Sequence, residues 1–176
     1  MSSTWQQISS TVVAEFSDVK DVGELTTITV RLFMAALLGG ILGFEREQRG
    51  KAAGIKTHML VAIGSALFVL IPLQAGISDA EMSRVMQGII TGIGFLGAGA
   101  ILKGHDEKDL KGLTTAAGIW VTSAIGVAAG LGRESLAILC TFLALVVLIA
   151  MPKIIDVLEG KTEAKDEHKE QPQDKQ

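Results

Sequence analysis

Five long apolar stretches, at residues 25–44, 59–77, 85–102, 113–131 and 135–155, dominate the sequence. Each approaches the ~20 residues that a helix needs to cross ~30 Å of hydrocarbon. Inside lipid every backbone N–H and C=O must find a partner within the protein, so stretches of this length form helices rather than open strands. The expected fold is an all-α integral membrane protein with five transmembrane helices. Composition agrees, with 48% hydrophobic residues, a mean hydropathy of +0.42 and 20 glycines. Most of those glycines lie inside the apolar stretches, where small residues let helices approach closely in lipid. In water the same glycines would weaken the helices.

The flanks differ from this middle. Residues 1–24 lack a basic start followed by an apolar core, so they do not read as a signal peptide. Trp5, Ile8, Val12, Val13, Phe16 and Val19 recur instead at helical spacing. That pattern predicts an amphipathic helix lying in the membrane interface or packed on the spans. Residues 156–176 are mostly Lys, Glu, Asp and Gln with no hydrophobic face, and are expected to be a disordered charged tail. The expected organisation is therefore an interfacial segment (1–24), a transmembrane domain (25–155) and the tail.

Lys and Arg set the orientation. Twelve of the 16 cations fall in the segments 45–58 and 103–112 and in the C-terminal residues from Lys153 onward. The opposite side carries Lys20, Arg84 and Arg133, while Arg31 falls within the first span. This asymmetry places the N-terminus outside and the C-terminus in the cytoplasm. The net charge of −3, with no basic stripe interleaved with aromatics, argues against a nucleic-acid partner. Cys140 is the sole cysteine and excludes an intrachain disulfide.

Two short echoes run through the spans. "AAGI" occurs at 52–55 and 116–119, and "AIG" at 62–64 and 124–126. They suggest two similar helical hairpins of the same orientation, followed by a fifth helix. Small-residue stripes recur as well. Gly39 and Gly43 lie on the first span, and Gly88, Gly92 and Gly99 share a face of the third. On the fourth, Thr114, Gly118, Thr122, Gly126 and Gly130 repeat every four residues. These are expected helix-packing seams, within one protomer or between protomers of a homo-oligomer. The other reading is that unwound glycine backbone in "GIGFLGAGA" offers carbonyls to a cation.

Polar groups at the membrane carry the candidate chemistry. "EREQR" at 45–49 ends the first span, and Lys56, Thr57 and His58 open the second. Glu45, Arg46, Lys56, Thr57 and His58 form one candidate functional cluster, with Thr57 as the expected N-cap of the second span. The carbonyl end of a helix disfavours a carboxylate, so Glu45 needs a cationic partner from Arg46, Arg49, Lys56 or His58. Glu45 and Glu47 also suit a hydrated Mg²⁺ in principle, but four nearby basic residues argue against it. Arg31 either snorkels to the outer interface or faces the bundle. Gln74, Gln87, Thr91, Thr114 and Thr115 form a candidate intramembrane polar site, with Gln74 and Gln87 expected to line a shared outer vestibule. The sequence presents no nucleophile–base–orienter set and no His/Cys metal spacing. No catalytic residue, metal ligand or cofactor is expected, and enzyme is the weakest class.

The stretches "LLGGILGFEREQRGKAAGIKTHMLVAIGSAL" and "QGIITGIGFLGAGAILKG…LKGLTTAAGIWVTSAIGVAAGLG" resemble the two signature blocks of the MgtC/SapB family of bacterial inner-membrane proteins. The likeness covers roughly residues 32–132. In the first block the matching positions are Gly39, Gly43, Glu45, Arg46, Gly54, Thr57 and His58. In the second they are Gly92, Gly94, Phe95, Leu96, Gly97, Ala98, Gly99, Gly112, Leu113, Thr115, Ala116 and Ala117. Lys56 departs from the family, which often has Arg there, and replaces a planar fork with a point charge. Where longer relatives carry a folded cytoplasmic regulatory domain, this chain has the charged tail, as a short member would.

The resemblance implies an inner-membrane protein with a periplasmic N-terminus and no established enzymatic activity. It also implies links to low magnesium, acid resistance, growth inside macrophages and, among partners, the F-type ATP synthase. The expected function is a non-enzymatic membrane regulator acting by protein–protein contact in the bilayer under ionic or acid stress. The alternative is a small transporter or channel for a cation or another small solute, with Gln74, Gln87, Thr91 and the Glu45–His58 cluster along its route.

Overall fold

Side-chain caps and glycines cut the apolar sequence into its helices. The computed structural model describes residues 3–15, 21–103 and 110–167. In order these form α1 (Thr4–Glu15), α2 (Val22–Gln48), α3 (Ile55–Gln74), α4 (Asp79–Gly99), a ribbon of β1 (Leu102–Lys103) and β2 (Leu110–Lys111), α5 (Leu113–Gly130) and α6 (Glu134–Glu167). The strands pair antiparallel, with Leu102 opposite Lys111 and Lys103 opposite Leu110. Among the described residues four helices are long and apolar enough to cross a membrane: α2, α3, α5 and residues 134–154 of α6. The expected third span, 85–102, falls on α4, which does not reach that apolarity among the described residues. Asp79, Glu81, Arg84 and Gln87 occupy its first half.

Boundaries move where a cap decides them. At α2 the Asp21 carboxylate accepts from the Glu24 N–H at 2.8 Å, starting the helix three residues before the expected span. The helix also runs through the charged cluster to Gln48 instead of stopping ahead of it. Nothing in "EREQ" opposes a helix, and Arg46 in the last turn suits the negative end of the dipole. At α3 the N-cap is Gly54, not Thr57, which lies inside the first turn. The third expected span ends early because Leu102 turns into the ribbon. Gly112 explains that exit: at φ +98 it takes the left-handed conformation, and a Cβ there would strike the Ala100 carbonyl. Beyond the expected end of the fifth span, α6 continues to Glu167, because residues 156–167 contain no proline and only one glycine to halt a helix. The first 12 residues of the expected disordered tail are thus helical, and residues 168–176 lie outside the described residues. At the other end, α1 forms as its periodicity predicts and buries no residue, leaving Trp5, Ile8 and Val12 exposed. Phe16 and Val19 lie outside the described residues.

The core is built on α3, which packs between α2 and α5. α2 buries Ala35, Leu38, Gly39, Leu42, Gly43 and Arg46, positions spaced by three and four along one face. Against it α3 sets His58, Ala62, Ser65, Ala66 and Val69. Contact is close enough to involve backbone. A Cβ on Gly39 would lie 2.7 Å from the His58 carbonyl oxygen, and one on Gly43 2.6 Å from Ile55 Cα. On the opposite side Gly126 of α5 meets the Ala62 backbone, and Gly130 meets Ala66 and Val69. Between these helices the Ser65 and Ser123 hydroxyls pair at 2.8 Å, each satisfying the other in a buried position. α6 closes the far side through Ala137, which is fully buried with Ala35, Ala62, Ala66 and Ala129.

The glycine stripes therefore divide. Gly39, Gly43, Gly126 and Gly130 sit in seams within this chain, and Gly118 lies 3.6 Å (as Cβ) from His58 Nε2. Gly88, Gly92 and Gly99 on α4 have no atom within 4 Å of where a Cβ would stand. α4 buries only Met82 and Gly97 among its residues.

The two "AAGI" stretches also receive different structure. The first supplies the loop and N-cap before α3, and the second lies inside α5.

Gly126→Ala pushes α3 and α5 apart and should cost about 1–3 kcal/mol, the usual overpacking penalty. Gly88→Ala, the same chemical change over open space, should leave melting of the detergent-solubilised protein unchanged. Equal melting temperatures for the two variants would contradict this packing. A second expectation concerns pH. The Ser78 backbone N–H and hydroxyl both donate to the Glu81 carboxylate, at 2.9 and 2.8 Å, and hold its pKa below the ordinary glutamate value. A depressed pKa stabilises the fold above the unfolded pKa and is lost as pH falls through the folded one. Amide protection at the start of α4 should therefore drop below about pH 4, and Glu81→Ala should abolish that transition.

Candidate functional site

The junction of α2 and α3 gathers the charged candidates. Arg46 is 2% exposed and Glu45 9%. Arg46 Nε contacts Glu45 Oε2 at 2.5 Å, and Arg49 Nε lies 2.6 Å from Glu45 Oε1 as an ion pair without hydrogen-bond alignment. Glu45 thus sits between two guanidinium groups. At the carbonyl end of α2 a lone carboxylate would be repelled, and these two cations reverse that field. Of the four cationic partners considered, Arg46 and Arg49 are the ones that make the contact.

Glu47 goes elsewhere. Its Oε2 accepts the Ile55 N–H at 2.9 Å, capping the free N–H groups at the start of α3. The fit requires glycine next door, since a Cβ on Gly54 would lie 2.5 Å from that oxygen. Two carboxylates only two residues apart therefore serve opposite helix ends. They do not converge on a shared cation.

His58 is 1% exposed, and its Nδ1 lies 3.0 Å from the Gly54 carbonyl oxygen. Its Nε2 is buried and lacks a hydrogen-bond partner among the described residues. The ring forms part of the wall of a cavity of about 380 Å³ between α2, α3, α5 and α6. Thr114 lines the same cavity, whereas Thr115, on the adjacent face of α5, is buried at 2% exposure. Lys56 points outward and is exposed, and Thr57 is half-buried. The cluster 45, 46, 58 is hence brought together around the α2–α3 junction, with Lys56 at its rim.

The outer polar candidates do not form one vestibule. Gln74 Nε2 donates to Glu24 Oε1 at 2.9 Å, joining the end of α3 to the start of α2. Gln87 is exposed on α4, and the Thr91 hydroxyl donates back to the Gln87 carbonyl at 2.9 Å within the helix. Arg31 turns inward: its Nη1 donates to the Gly130 carbonyl at 3.1 Å, satisfying an orphan acceptor at the end of α5. Sequence patterning missed the Ser65–Ser123 pair and the Arg31–Gly130 bond. Both join residues far apart in the chain, and no local signal marks them. Glu47 as a cap was visible in principle, because an acidic residue eight positions ahead of Ile55 faces a helix start across a short turn.

A family model described as the MgtC family matches residues 32–157, which contain the α2–α3 junction and both glycine-rich blocks. The chain belongs to the MgtC family. Protein SrpB of Synechococcus elongatus is 39% identical over 143 residues, covering 75% of this chain and 79% of that protein. The putative magnesium transporter YhiD of Escherichia coli is 42% identical over 127 residues, or 68% of this chain and 58% of YhiD. Protein MgtC of Brucella abortus is 43% identical over 126 residues, or 71% of this chain and 51% of that protein. The chain therefore spans little more than half the length of these last two relatives. None of the three names is that of an enzyme. No solved structure matches. Family membership and the four long apolar helices make this a membrane protein.

Replacing one member of a buried ion pair strands its partner, a loss of about 3–5 kcal/mol. Glu45→Gln leaves Arg46 buried without its counter-charge and should lower the melting temperature of the purified protein sharply. Lys56→Ala, at the exposed rim, should leave it within a degree or two of unaltered protein. Similar melting for both variants would show that the Glu45 contacts are energetically idle.

Proposed function

We propose that this protein is a non-enzymatic regulator in the bacterial inner membrane, acting through protein–protein contacts in the bilayer during low-magnesium, acid or related ionic stress. In this reading α4 also crosses the membrane, as the third of five spans. The chain forms two helical hairpins plus a fifth helix, with the N-terminus periplasmic and the C-terminus cytoplasmic. The distribution of Lys and Arg supports that orientation.

The observation that carries the proposal is the unfilled side of α4. Gly88 and Gly92 border an apolar cleft of about 500 Å³ between α3 and α4, lined also by Gly64, Leu60 and Phe68. Glycines on a helix have a use in lipid when another helix packs over them. Gly39 and Gly43 of α2 and Gly126 and Gly130 of α5 are put to that use within the chain, and α4 leaves Gly88 and Gly92 open. A second copy of this chain, or a helix of another membrane protein such as the F-type ATP synthase, fits that surface by size and apolarity.

One relative is named a putative magnesium transporter, which favours transport as the second reading. The polar side chains that would line a route, Gln74, Gln87 and the Glu45 cluster, are separately engaged or exposed instead of converging. Regulation is therefore the better supported of the two.

The decisive test uses Gly92→Cys in a Cys140→Ser background. Oxidation in native membranes should yield a cross-linked species containing α4, either a homodimer or a single discrete heteromer, and Gly92→Leu should lose assembly in mild detergent. A chain that stays uncross-linked and unchanged in size would overturn the regulator reading. Mg²⁺, Na⁺, K⁺ or H⁺ flux in proteoliposomes that vanishes in Gln87→Leu would then replace it with transport.

A further inference from the structure

The cavity behind His58 has a use that neither reading above assigns. A carbonyl oxygen only accepts, so the 3.0 Å contact from Nδ1 to the Gly54 oxygen places the imidazole proton on Nδ1. In the neutral ring Nε2 is then a bare acceptor. It is buried, has no partner among the described residues, and lies beside Gly118 where α5 leaves room. Buried polar atoms in native proteins are nearly always paired, so an unpaired one in a cavity wall points to something that comes to meet it.

The cavity has the size of a small-molecule site, at about 380 Å³. Its composition narrows the occupant. His58 and Thr114 supply its polar groups, while Leu42, Val121, Leu143 and Leu148 make most of the remaining wall apolar. A metal ion would find no carboxylate there, and an anion would meet a lone pair. Water alone suits the His58 end, but the apolar remainder gives it no partners. Along α5 the lining runs from Thr114 to Val121, about 10 Å at 1.5 Å per residue. That length accepts an aliphatic chain.

We propose that this cavity binds a single-chain amphiphile whose hydroxyl donates to His58 Nε2 while its aliphatic tail lies along α5 and α6. Near the start of α3, His58 sits where the polar end of such a molecule meets the membrane surface. The proposal does not depend on the regulator reading. Two sources supply this chemistry, a free long-chain alcohol and a monoacyl lipid, and they share the hydroxyl-bearing chain.

Cys140 provides the readout, being the sole cysteine and part of the cavity wall. Its alkylation by N-ethylmaleimide is followed in nanodiscs holding the full chain. Decan-1-ol should slow labelling at least five-fold and saturably, whereas decyl methyl ether, which has no donor, should slow it far less. Protection by 1-decanoylglycerol as well would identify a membrane lipid as the source. Protection by the alcohol alone would identify a free amphiphile. In His58→Leu the alcohol and ether should become equivalent, and Gly118→Leu, which fills the cavity, should remove ligand dependence. Should either variant fail to fold, the alcohol–ether comparison on unaltered protein decides by itself. Equal protection by both compounds, or by neither, overturns the proposal.

Discussion

The close approach of α3 to α2 and α5 is the constraint on which the rest of this structure depends. Lipid tails are as apolar as the helices, so association in the bilayer draws on van der Waals packing and on polar contacts between helices. Here that packing needs bare backbone. Gly39 and Gly43 lie against one side of α3, and Gly126 and Gly130 against the other, with Ala62 and Ala66 fully buried between them. The Ser65–Ser123 pair adds a polar bond inside the same seam. Any larger side chain at these places would move a helix, and the sites at both ends of α3 would move with it.

Two arrangements follow from that packing. At one end, α2 finishes where α3 begins, and the two helix termini present fields of opposite sign. Glu47 caps the positive end, and Glu45, at the negative one, is held between Arg46 and Arg49. At the same junction, His58 is pressed between α2 and Gly118, with one ring nitrogen spent on Gly54 and the other facing the cavity. The cluster is thus a structural joint, with the cavity against its inner side. The charge network and the proposed ligand site adjoin because both grow from one helix junction.

α4 follows another logic. It carries polar residues in its first half, buries little, and holds Gly88, Gly92, Gly94 and Gly99 over open space. Its capping box at Ser78 and Glu81 fixes where it starts without help from neighbouring helices. A helix that is firmly begun yet loosely packed suits a surface that other helices can occupy. Asp79, Glu81, Arg84 and Gln87 in that first half account for its lower apolarity than the other long helices.

Much of the architecture was legible in the sequence. Runs of about 20 apolar residues dictate helices, because lipid leaves the backbone no other partners. The 3.6-residue spacing of small residues marked the faces of α2 and α5 that pack, and a carboxylate at the end of α2 had to find cations. What remained hidden was relational. Gly88 and Gly126 carry the same stripe signal, but one faces a cleft and the other touches backbone. Thr57 had the chemistry of a cap, and Gly54 took the position because Glu47 reached across to do the capping. Gln74 found Glu24 in place of Gln87, and Arg31 found Gly130. By itself the sequence determined that these segments are helices, where lipid meets them and which charges need partners, since those follow from local composition and period. Only the tertiary structure decided which glycines are in contact, which cation answers which carboxylate and which histidine nitrogen is left free. Those outcomes depend on the distance between helices, which no single stretch of chain encodes.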